Sequence, residues 1–202
     1  MDKSNGTLKL YQSIRCKELL EHMCEIKAYK YRPDDPFTLV SGKKSPYYWN
    51  VKQVIFNPKG VALLARIFTM LKDSKSTMVG GVANAGYSLV PLVLANGSFA
   101  KEYALNNNPG FVVRKNPKAH GVTGWFDGCP PDQLDKVVMV EDVITTGGSV
   151  ARACKRVEET GAEVTNIVTV IHRQEGVYDS EFEPYLDRVI PILTRKDFEE
   201  YT

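Results

Sequence analysis

The fold of this chain is decided by residues 137–149, which read Val-Val-Met-Val-Glu-Asp-Val-Ile-Thr-Thr-Gly-Gly-Ser. Four consecutive apolar residues at its start are typical of a strand that is buried on both faces of a sheet. Two acids follow, and a turn rich in hydroxyls and glycine then leads directly into residues 149–160, which have helical periodicity and end before a glycine. The stretch therefore predicts a buried strand, a tight turn and a helix.

The same alternation of strand and helix continues on both sides of this stretch. Further strands are predicted at residues 78–82, 111–114, 164–171 and 189–192, and further helices at residues 13–27, 61–71, 86–94 and 195–201. Continuous apolar strands that alternate with helices indicate a mainly parallel sheet flanked by helices. Nearer the N-terminus, residues 37–40 and 47–51 are β-prone and predict a short antiparallel pair. We find no linker or repeat, and we expect one α/β domain over residues 1–202.

The composition excludes several classes of protein. The chain has 202 residues, of which 43% are hydrophobic and 25% charged, as in ordinary globular proteins. Its 26 basic and 24 acidic residues give no overall field that would attract nucleic acid. No segment has the roughly 18 uninterrupted apolar residues of a membrane span. The four cysteines have neither disulfide nor metal-ligand spacing, so we expect a cytoplasmic protein that binds no nucleic acid or membrane and has no dedicated metal cage.

The turn at residues 145–149 has the composition of an anion-binding site. Its hydroxyls, its backbone N–H groups and the positive end of the next helix can all point at one anion. Gly147 and Gly148 allow the backbone to close around a phosphate. Glu141 and Asp142, just ahead, are placed to accept hydrogen bonds from the diol of a ribose. The alternative is a pair of surface acids followed by an ordinary helix cap, but acids and phosphate cup together describe a ribose 5-phosphate site.

A second cluster of charge lies in residues 114–124. Arg114, Lys115, Lys118 and His120 stand close together there, and glycines follow them. Cations on a glycine-hinged loop suit a mobile lid over a polyphosphate, where they would stabilise the charge that builds on leaving oxygens. A solvated basic loop, which could touch nucleic acid, is the alternative.

The chain carries neither of the two common nucleotide-binding fingerprints. No G-x-x-x-x-G-K-[ST] loop is present, and no G-x-G-x-x-G follows a strand. Residues 80–86 read Gly-Gly-Val-Ala-Asn-Ala-Gly, which has the wrong spacing for a fingerprint but predicts a second anion-binding turn.

These segments resemble those of a known family. Residues 141–149 resemble the 5-phosphoribosyl-1-pyrophosphate (PRPP) motif of type I phosphoribosyltransferases. Residues 114–121 match all five defined positions of Arg-Lys-x-x-Lys-x-His-Gly, the mobile loop of the orotate phosphoribosyltransferases. Residues 37–47 and 173–176 are similar to two further segments of those enzymes. The resemblance implies the type I phosphoribosyltransferase fold, with a small N-terminal hood (about residues 1–55 and the C-terminal region) that contains the antiparallel element.

The resemblance also implies a reaction and a set of site residues. The 5-phosphoribosyl group of PRPP would pass to orotate, giving orotidine 5′-monophosphate and pyrophosphate in pyrimidine nucleotide biosynthesis. The residues that match catalytic positions are Arg114, Lys118, His120, Glu141 and Asp142. Those that match PRPP-binding positions are Lys115, Thr145, Thr146, Gly147, Gly148 and Ser149. Those that match orotate-binding positions are Tyr48, Trp49, Thr145 and Arg173.

Two further properties are implied by the resemblance. Mg²⁺ would be bound mainly through PRPP, pyrophosphate and water, because it dehydrates reluctantly. The mobile loop acts across a homodimer interface in the enzymes that this chain resembles, so a homodimer with shared active sites is implied.

Two positions depart from the family pattern. Val40 stands where many relatives have a lysine near the substrates, and Asn84-Ala85 replaces a common Tyr-Lys pair. The first departure leaves open a phosphoribosyltransferase for another nucleobase. A PRPP-sensing regulator without catalysis is a third possibility, although no output module such as a helix-turn-helix is evident.

Overall fold

Helices and strands alternate along most of the chain. The computed structural model describes residues 3–38, 42, 44–71, 76–99, 109–117 and 124–202. The α-helices are α1 (Lys3–Glu25), α2 (Val51–Ile55), α3 (Pro58–Leu71), α4 (Gly86–Phe99) and α5 (Gly148–Glu158). The strands are β1 (Tyr29–Tyr31), β2 (Phe37–Thr38), β3 (Lys44–Ser45), β4 (Tyr47–Trp49), β5 (Met78–Val82), β6 (Gly110–Val113), β7 (Phe126–Gly128), β8 (Lys136–Ile144), β9 (Glu163–His172) and β10 (Val189–Thr194). Val40, Lys118 and His120 lie outside the described residues.

The central sheet has six strands in the order β10-β9-β8-β5-β6-β7. All neighbouring strands in it are parallel except β7, which is antiparallel to β6 at the edge. Two small antiparallel pairs, β1 with β4 and β2 with β3, lie in the N-terminal part of the chain. The prediction of a mainly parallel sheet with a short antiparallel element near the N-terminus is therefore confirmed.

Strand β8 lies at the centre of the hydrophobic core and contributes side chains to the core on both faces of the sheet. Val138 and Val140 pack with residues of α1, α3 and α4 on one face of the sheet. Val137 and Met139 point to the other face and pack with α5. All four side chains are buried, because successive residues of a strand face opposite sides and both sides of this sheet are covered. Each such burial contributes roughly 1.5–3 kcal/mol.

The start of α3 is set by a local cap. The Oδ1 atom of Asn57 accepts hydrogen bonds from the backbone N–H groups of Lys59, at 3.0 Å, and Gly60, at 3.2 Å. Pro58 occupies the first helical position, where its missing N–H costs no hydrogen bond. The cap satisfies two of the otherwise free donors of the helix.

The predicted pairing of residues 37–40 with 47–51 was wrong. Phe37 pairs with Ser45 in β3, whereas Trp49 in β4 pairs with Tyr29 of β1, a strand that was not predicted. Pro46 separates β3 from β4, and its carbonyl accepts a hydrogen bond from the backbone N–H of Arg32, the residue after β1. Aromatic contact favours the observed partner of β4, because the ring centroids of Tyr29 and Trp49 lie 5.9 Å apart.

Other elements differ from the prediction mainly in their bounds. Val51 begins α2 instead of ending a strand, α4 continues to Phe99, and β7 was not predicted. Residues 195–201 form a 3₁₀-helix, where Thr194 and Asp197 make a capping box.

The turn from β5 into α4 depends on two glycines that touch each other. A Cβ atom built on Gly86 would lie 2.7 Å from the carbonyl carbon of Gly81 and 2.8 Å from its Cα. Both are backbone atoms, which cannot move aside as a flexible side chain can. The close approach of strand and helix in residues 80–86 therefore requires glycine.

We expect Gly86→Ala to lower the free energy of unfolding by about 1–3 kcal/mol, the usual cost of overpacking. Urea denaturation measures this value. Gly124→Ala is the matched control, because its Cβ would lie 3.5 Å from the nearest atom, in ordinary contact. The control should change the free energy by less than about 1 kcal/mol, and equal losses in the two variants would contradict the packing argument.

Candidate active site

Two acids lie where β8 loses one of its neighbours. On one side, β5 pairs with β8 only as far as Val140, which stands opposite Gly81. On the other side, β9 continues to pair with β8 as far as Ile144. Glu141 and Asp142 therefore lie within the strand, three and two residues before its last paired residue, Ile144, and not at its carboxyl end as predicted. At these two residues β8 still has β9 as a neighbour but no longer pairs with β5. We call this part of the rim of the sheet, formed by Glu141 and Asp142, the acidic step.

Glu141 is buried at this step. Its side chain accepts a hydrogen bond from the backbone N–H of Asp142 on Oε1, at 3.3 Å. Its Oε2 atom is buried and has no hydrogen-bond partner among the described residues. Burial raises the pKa of the Glu141 carboxyl well above its usual range, the nearby Asp142 carboxylate raises it further, and the charge of Lys115 opposes both effects. Lys115, from the predicted lid, is thus close enough to Glu141 to act on its charge.

The turn after β8 closes tightly against a later segment of the chain. Gly147 has φ +81° and caps α5 from the left-handed region, which favours glycine. A Cβ on Gly147 would lie 2.1 Å from the ring of Phe182, and one on Gly148 would lie 2.5 Å from Oδ2 of Asp179. The backbone N–H of Asp179 also donates to the carbonyl of Thr146, at 2.8 Å. Packing against Phe182 therefore requires glycine at position 147 in addition to any role in phosphate binding, whereas the end of the Asp179 side chain could move aside for a larger residue at position 148.

Three segments that are distant in sequence line one cavity of about 660 Å³. Ala83 comes from the turn after β5, Arg114 and Lys115 follow β6, and Ser149 is the second residue of α5. The carboxyl ends of parallel strands meet at one edge of a sheet, so the topology explains why they converge. Of the predicted site residues, the lining includes Arg114, Lys115 and Ser149, but not Glu141, Asp142 or residues 145–148. The cavity thus joins the end of the phosphate turn, the second glycine turn and the start of the basic loop.

The charge of this cavity is mainly positive. Among its lining residues, five are cationic and two are acidic, namely Arg114, Lys115, Arg152, Lys155 and Arg156 against Glu159 and Glu181. The N-terminus of α5, an eleven-residue helix, adds its own partial positive charge. The cavity is therefore suited to an anion with several phosphates.

Arg114 is held in place by an acid that the sequence did not identify. Its Nη1 donates to Oδ2 of Asp127 at 2.8 Å, and the hydroxyl of Tyr87 donates to the same oxygen at 2.6 Å. The hydrogen bond to Asp127 raises the pKa of Tyr87. Asp127 belongs to β7, whose three residues are too few to give a strand signal in the sequence. The pairing of β7 with β6 places Asp127 opposite Val112, near Arg114.

Arg173 lies in a separate, buried position at the end of β9. Its Nη2 donates to the hydroxyl of Ser45 at 2.6 Å, and its Nε donates to Oε1 of Glu175 at 3.0 Å. Its guanidinium carbon lies 5.2 Å from the ring centroid of Trp49. The backbone N–H of Arg173 donates to the carbonyl of Ile144, so this arginine lies beside the phosphate turn. The structure therefore brings two of the predicted base-binding residues, Arg173 and Trp49, together.

Tyr48 points the other way. It is partly exposed and stacks on Phe37, with ring centroids 5.2 Å apart. Neighbouring residues of a strand face opposite sides, so its side chain lies away from Trp49 and Arg173. The role of Tyr48 in base binding stays a prediction.

A family model described as a phosphoribosyl transferase domain matches residues 51–194. The chain belongs to the phosphoribosyltransferase family. The resemblance drawn from residues 141–149 and 114–121 is confirmed by this match. The matched range includes β5, β8 and α5, which form the cavity and the acidic step, and it ends with the last residue of β10.

Several curated phosphoribosyltransferases that are similar to the chain carry the name orotate phosphoribosyltransferase. The one from Bradyrhizobium diazoefficiens is 40% identical over 149 residues, which are 71% of this chain and 76% of the relative. The one from Pyrococcus furiosus is 37% identical over 164 residues, which are 81% of this chain and 85% of the relative. The crystal structure of orotate phosphoribosyltransferase from Aeropyrum pernix has a TM-score of 0.72 at 24% identity and covers 91% of this chain and 97% of its own. These findings support the predicted fold and family.

The described part of this phosphoribosyltransferase offers neither a metal-binding cluster nor a membrane-spanning helix. No group of three or more His, Cys, Asp or Glu residues within it is arranged to hold a metal ion. Among its described helices, none combines the length and the apolar character that crossing a membrane requires.

We expect Glu141→Gln to raise the free energy of unfolding near pH 8 and to leave it unchanged near pH 4. The pKa of Glu141 is higher in the folded state. As the pH rises above the usual pKa of a glutamate, the unfolded chain releases this proton first, so the wild type loses stability until the pH passes the folded pKa. A glutamine carries no such penalty.

Thermal unfolding of both proteins between about pH 4 and about pH 8 measures the effect. Glu183→Gln is the control, because Glu183 is exposed in the 3₁₀-helix Glu183–Arg188, and its effect should be small at every pH. A Glu141→Gln variant that is no more stable than the wild type at pH 8 would contradict the assigned burial.

Proposed function

We propose that this chain transfers the 5-phosphoribosyl group of PRPP to orotate, forming orotidine 5′-monophosphate and pyrophosphate in pyrimidine nucleotide biosynthesis. The observation that carries the proposal is the single cavity in which Ala83, Lys115 and Ser149 meet. It joins two anion-binding turns to a cationic loop, as a sugar with phosphates at both ends requires. The names of the curated relatives support orotate as the base.

The ribose 5-phosphate end is assigned to residues 141–149. Backbone N–H groups and hydroxyls at the start of α5 bind the 5-phosphate, favoured by the helix dipole. Asp142 and Glu141 accept hydrogen bonds from the ribose hydroxyls. The buried Oε2 of Glu141 supports this assignment, because a buried acceptor without a partner among the described residues is costly unless a ligand supplies one.

The pyrophosphate end is assigned to the basic loop. As the bond from the anomeric carbon to pyrophosphate breaks, negative charge builds on the leaving oxygens and the sugar becomes cationic. Arg114, Lys115, Lys118 and His120 stabilise the leaving group, while the carboxylates at the other end of the site stabilise the sugar. Closure of the loop would also keep water away from the sugar cation.

The base is assigned to the region of Arg173. Orotate is a planar anion, and a guanidinium can hold its carboxylate through two parallel hydrogen bonds. Trp49 orients the guanidinium, and Thr145 and the backbone of Tyr48 border the base. The bond between the backbone of Arg173 and that of Ile144 supports this assignment, because it places the base site next to the ribose site.

Mg²⁺ is proposed to enter with PRPP. It would be held chiefly by pyrophosphate and ribose oxygens and by water, and it would neutralise the charge of the diphosphate. The excess of cationic over acidic side chains in the cavity fits a metal that is bound through the substrate.

The enzyme is proposed to be a cytoplasmic homodimer with shared active sites. The basis for the dimer is the match of the loop at residues 114–121 to a loop that acts across a subunit interface in the enzymes it resembles. All four cysteines are free, which is consistent with a reducing compartment.

A panel of bases tests the proposed reaction. With Mg²⁺ and PRPP, we expect pyrophosphate release that depends on orotate and not on uracil, hypoxanthine or adenine. Release with another base alone would favour a different phosphoribosyltransferase, an outcome that Val40 makes worth testing. Binding of PRPP without base-dependent release would favour a regulator.

We expect Lys118→Ala to lower kcat by roughly 10²–10³-fold, the usual loss when one donor to a developing charge is removed. Thermal stability should stay that of the wild type. Lys136→Ala is the matched control, because Lys136 begins β8 at the end of the sheet opposite the site. A folded Lys118→Ala enzyme with near-normal turnover would rule out the lid role.

A further inference from the structure

We propose that Glu175 is an internal competitor for the base. Its carboxylate occupies the guanidinium of Arg173 in the unliganded enzyme and gives way to the carboxylate of an anionic base. This inference rests on the proposed function, because it concerns the residue assigned to hold that base. It assigns a role to an acid for which the sequence alone indicated none.

The two partners of the ion pair differ in how firmly they are held. Glu175 accepts hydrogen bonds from both Nε and Nη2 of Arg173 on a single oxygen, Oε1. The side chain of Arg173 is only 4% exposed, whereas that of Glu175 is 31% exposed. The guanidinium is therefore fixed inside the protein, and the carboxylate reaches it from the surface. If this ion pair opens, Glu175 is therefore the partner that moves away.

Arg173 keeps its position without Glu175. Its Nη2 also donates to the hydroxyl of Ser45, and its guanidinium lies over the buried ring of Trp49. Trp49 in turn stacks on Tyr47, with 5.7 Å between centroids and 14° between planes. Tyr47 faces the guanidinium of Arg195 at 5.6 Å. Two stacked rings thus lie between the two guanidinium groups, and Ser45 and Trp49 hold Arg173 through contacts that do not involve Glu175.

The backbone around Glu175 allows its side chain to move away. Residues 174–177 are all exposed and lie outside any helix or strand. Gln174 has φ +50° and Gly176 has φ +74°, and a Cβ on Gly176 would meet no atom within 4 Å. Glu175 can therefore rotate into solvent without disturbing the core, so the exchange has no packing cost.

The chemistry of the pair explains what such an exchange achieves. A buried guanidinium without an anion is costly, and Glu175 supplies the anion while the site is empty. A base with a carboxylate can replace Glu175 and offers two oxygens where Glu175 uses one. A neutral base offers no charge and leaves the pair intact. Glu175 therefore lowers the affinity of the enzyme for every ligand that must bind to Arg173. Only an anionic ligand recovers this lost affinity, because its own charge pairs with the guanidinium.

Substitution of Glu175 tests this inference. We expect Glu175→Gln to lower the KM for orotate by about three- to tenfold, the range that corresponds to loss of a partly exposed ion pair. The KM for PRPP should not change. Glu175→Ala, which also removes the hydrogen-bond acceptor, should lower the KM for orotate in the same direction. Glu183→Gln, in an exposed position outside the site, is the control.

The opposite results are equally informative. If Glu175 positions Arg173 instead of competing for it, both variants will raise the KM for orotate, and an unchanged KM would also overturn the proposal. Thermal unfolding of each variant verifies that it is folded. A wild-type enzyme that releases no pyrophosphate with orotate would refute the proposed function, and this inference with it. If the wild type has normal turnover with orotate and the variants show no decrease in the KM for orotate, only the role of Glu175 as a competitor is refuted.

Discussion

The unequal pairing of β8 with its two neighbours determines where the site lies. Strand β9 follows β8 to Ile144, whereas β5 stops opposite Val140. The four residues beyond that point are held by hydrogen bonds on one side and are open on the other. Glu141 and Asp142 lie at this step, and the turn that follows begins α5 at the same edge. A shorter β8 would leave both acids in a loop, where no neighbouring strand would fix their direction.

Burial of the core stabilises the acidic step, where the burial of a carboxyl group is unfavourable by itself. Burial opposes ionisation of Glu141 and raises its pKa, while Val137 to Val140, immediately before it, are almost completely buried. Removing such side chains from water contributes roughly 1.5–3 kcal/mol each, which is enough to hold one unfavourable carboxyl in place. At Glu141, folding stability and ligand binding therefore place opposite demands on the protein, as is common in a preorganised binding site.

The sequence predicts the site where the chemistry is local and fails where it depends on distant partners. Strand, turn and α5 follow from residues 137–160 alone, and the bounds of α5 are nearly correct, but β8 continues past the two acids to Ile144. The partner of β4 was wrong because aromatic contacts with Tyr29 and Phe198, far apart in the chain, decide it. Asp127 was missed because its importance arises only when β7 pairs with β6. No periodicity or motif in one sequence carries that information.

Both arginines assigned to the substrates are paired with acids, but the two pairs are built differently. Asp127 lies in a sheet strand and also accepts from Tyr87, so Arg114 and its acid form a fixed unit. Glu175 lies on an exposed turn and contacts Arg173 through one oxygen. A fixed ion pair keeps the arginine in position with part of its charge neutralised. A replaceable ion pair neutralises the arginine only until the carboxylate of a ligand takes the place of the acid. The leaving group needs positioned charge throughout the reaction, but the base must enter and its product must leave, so the replaceable pair belongs at the base.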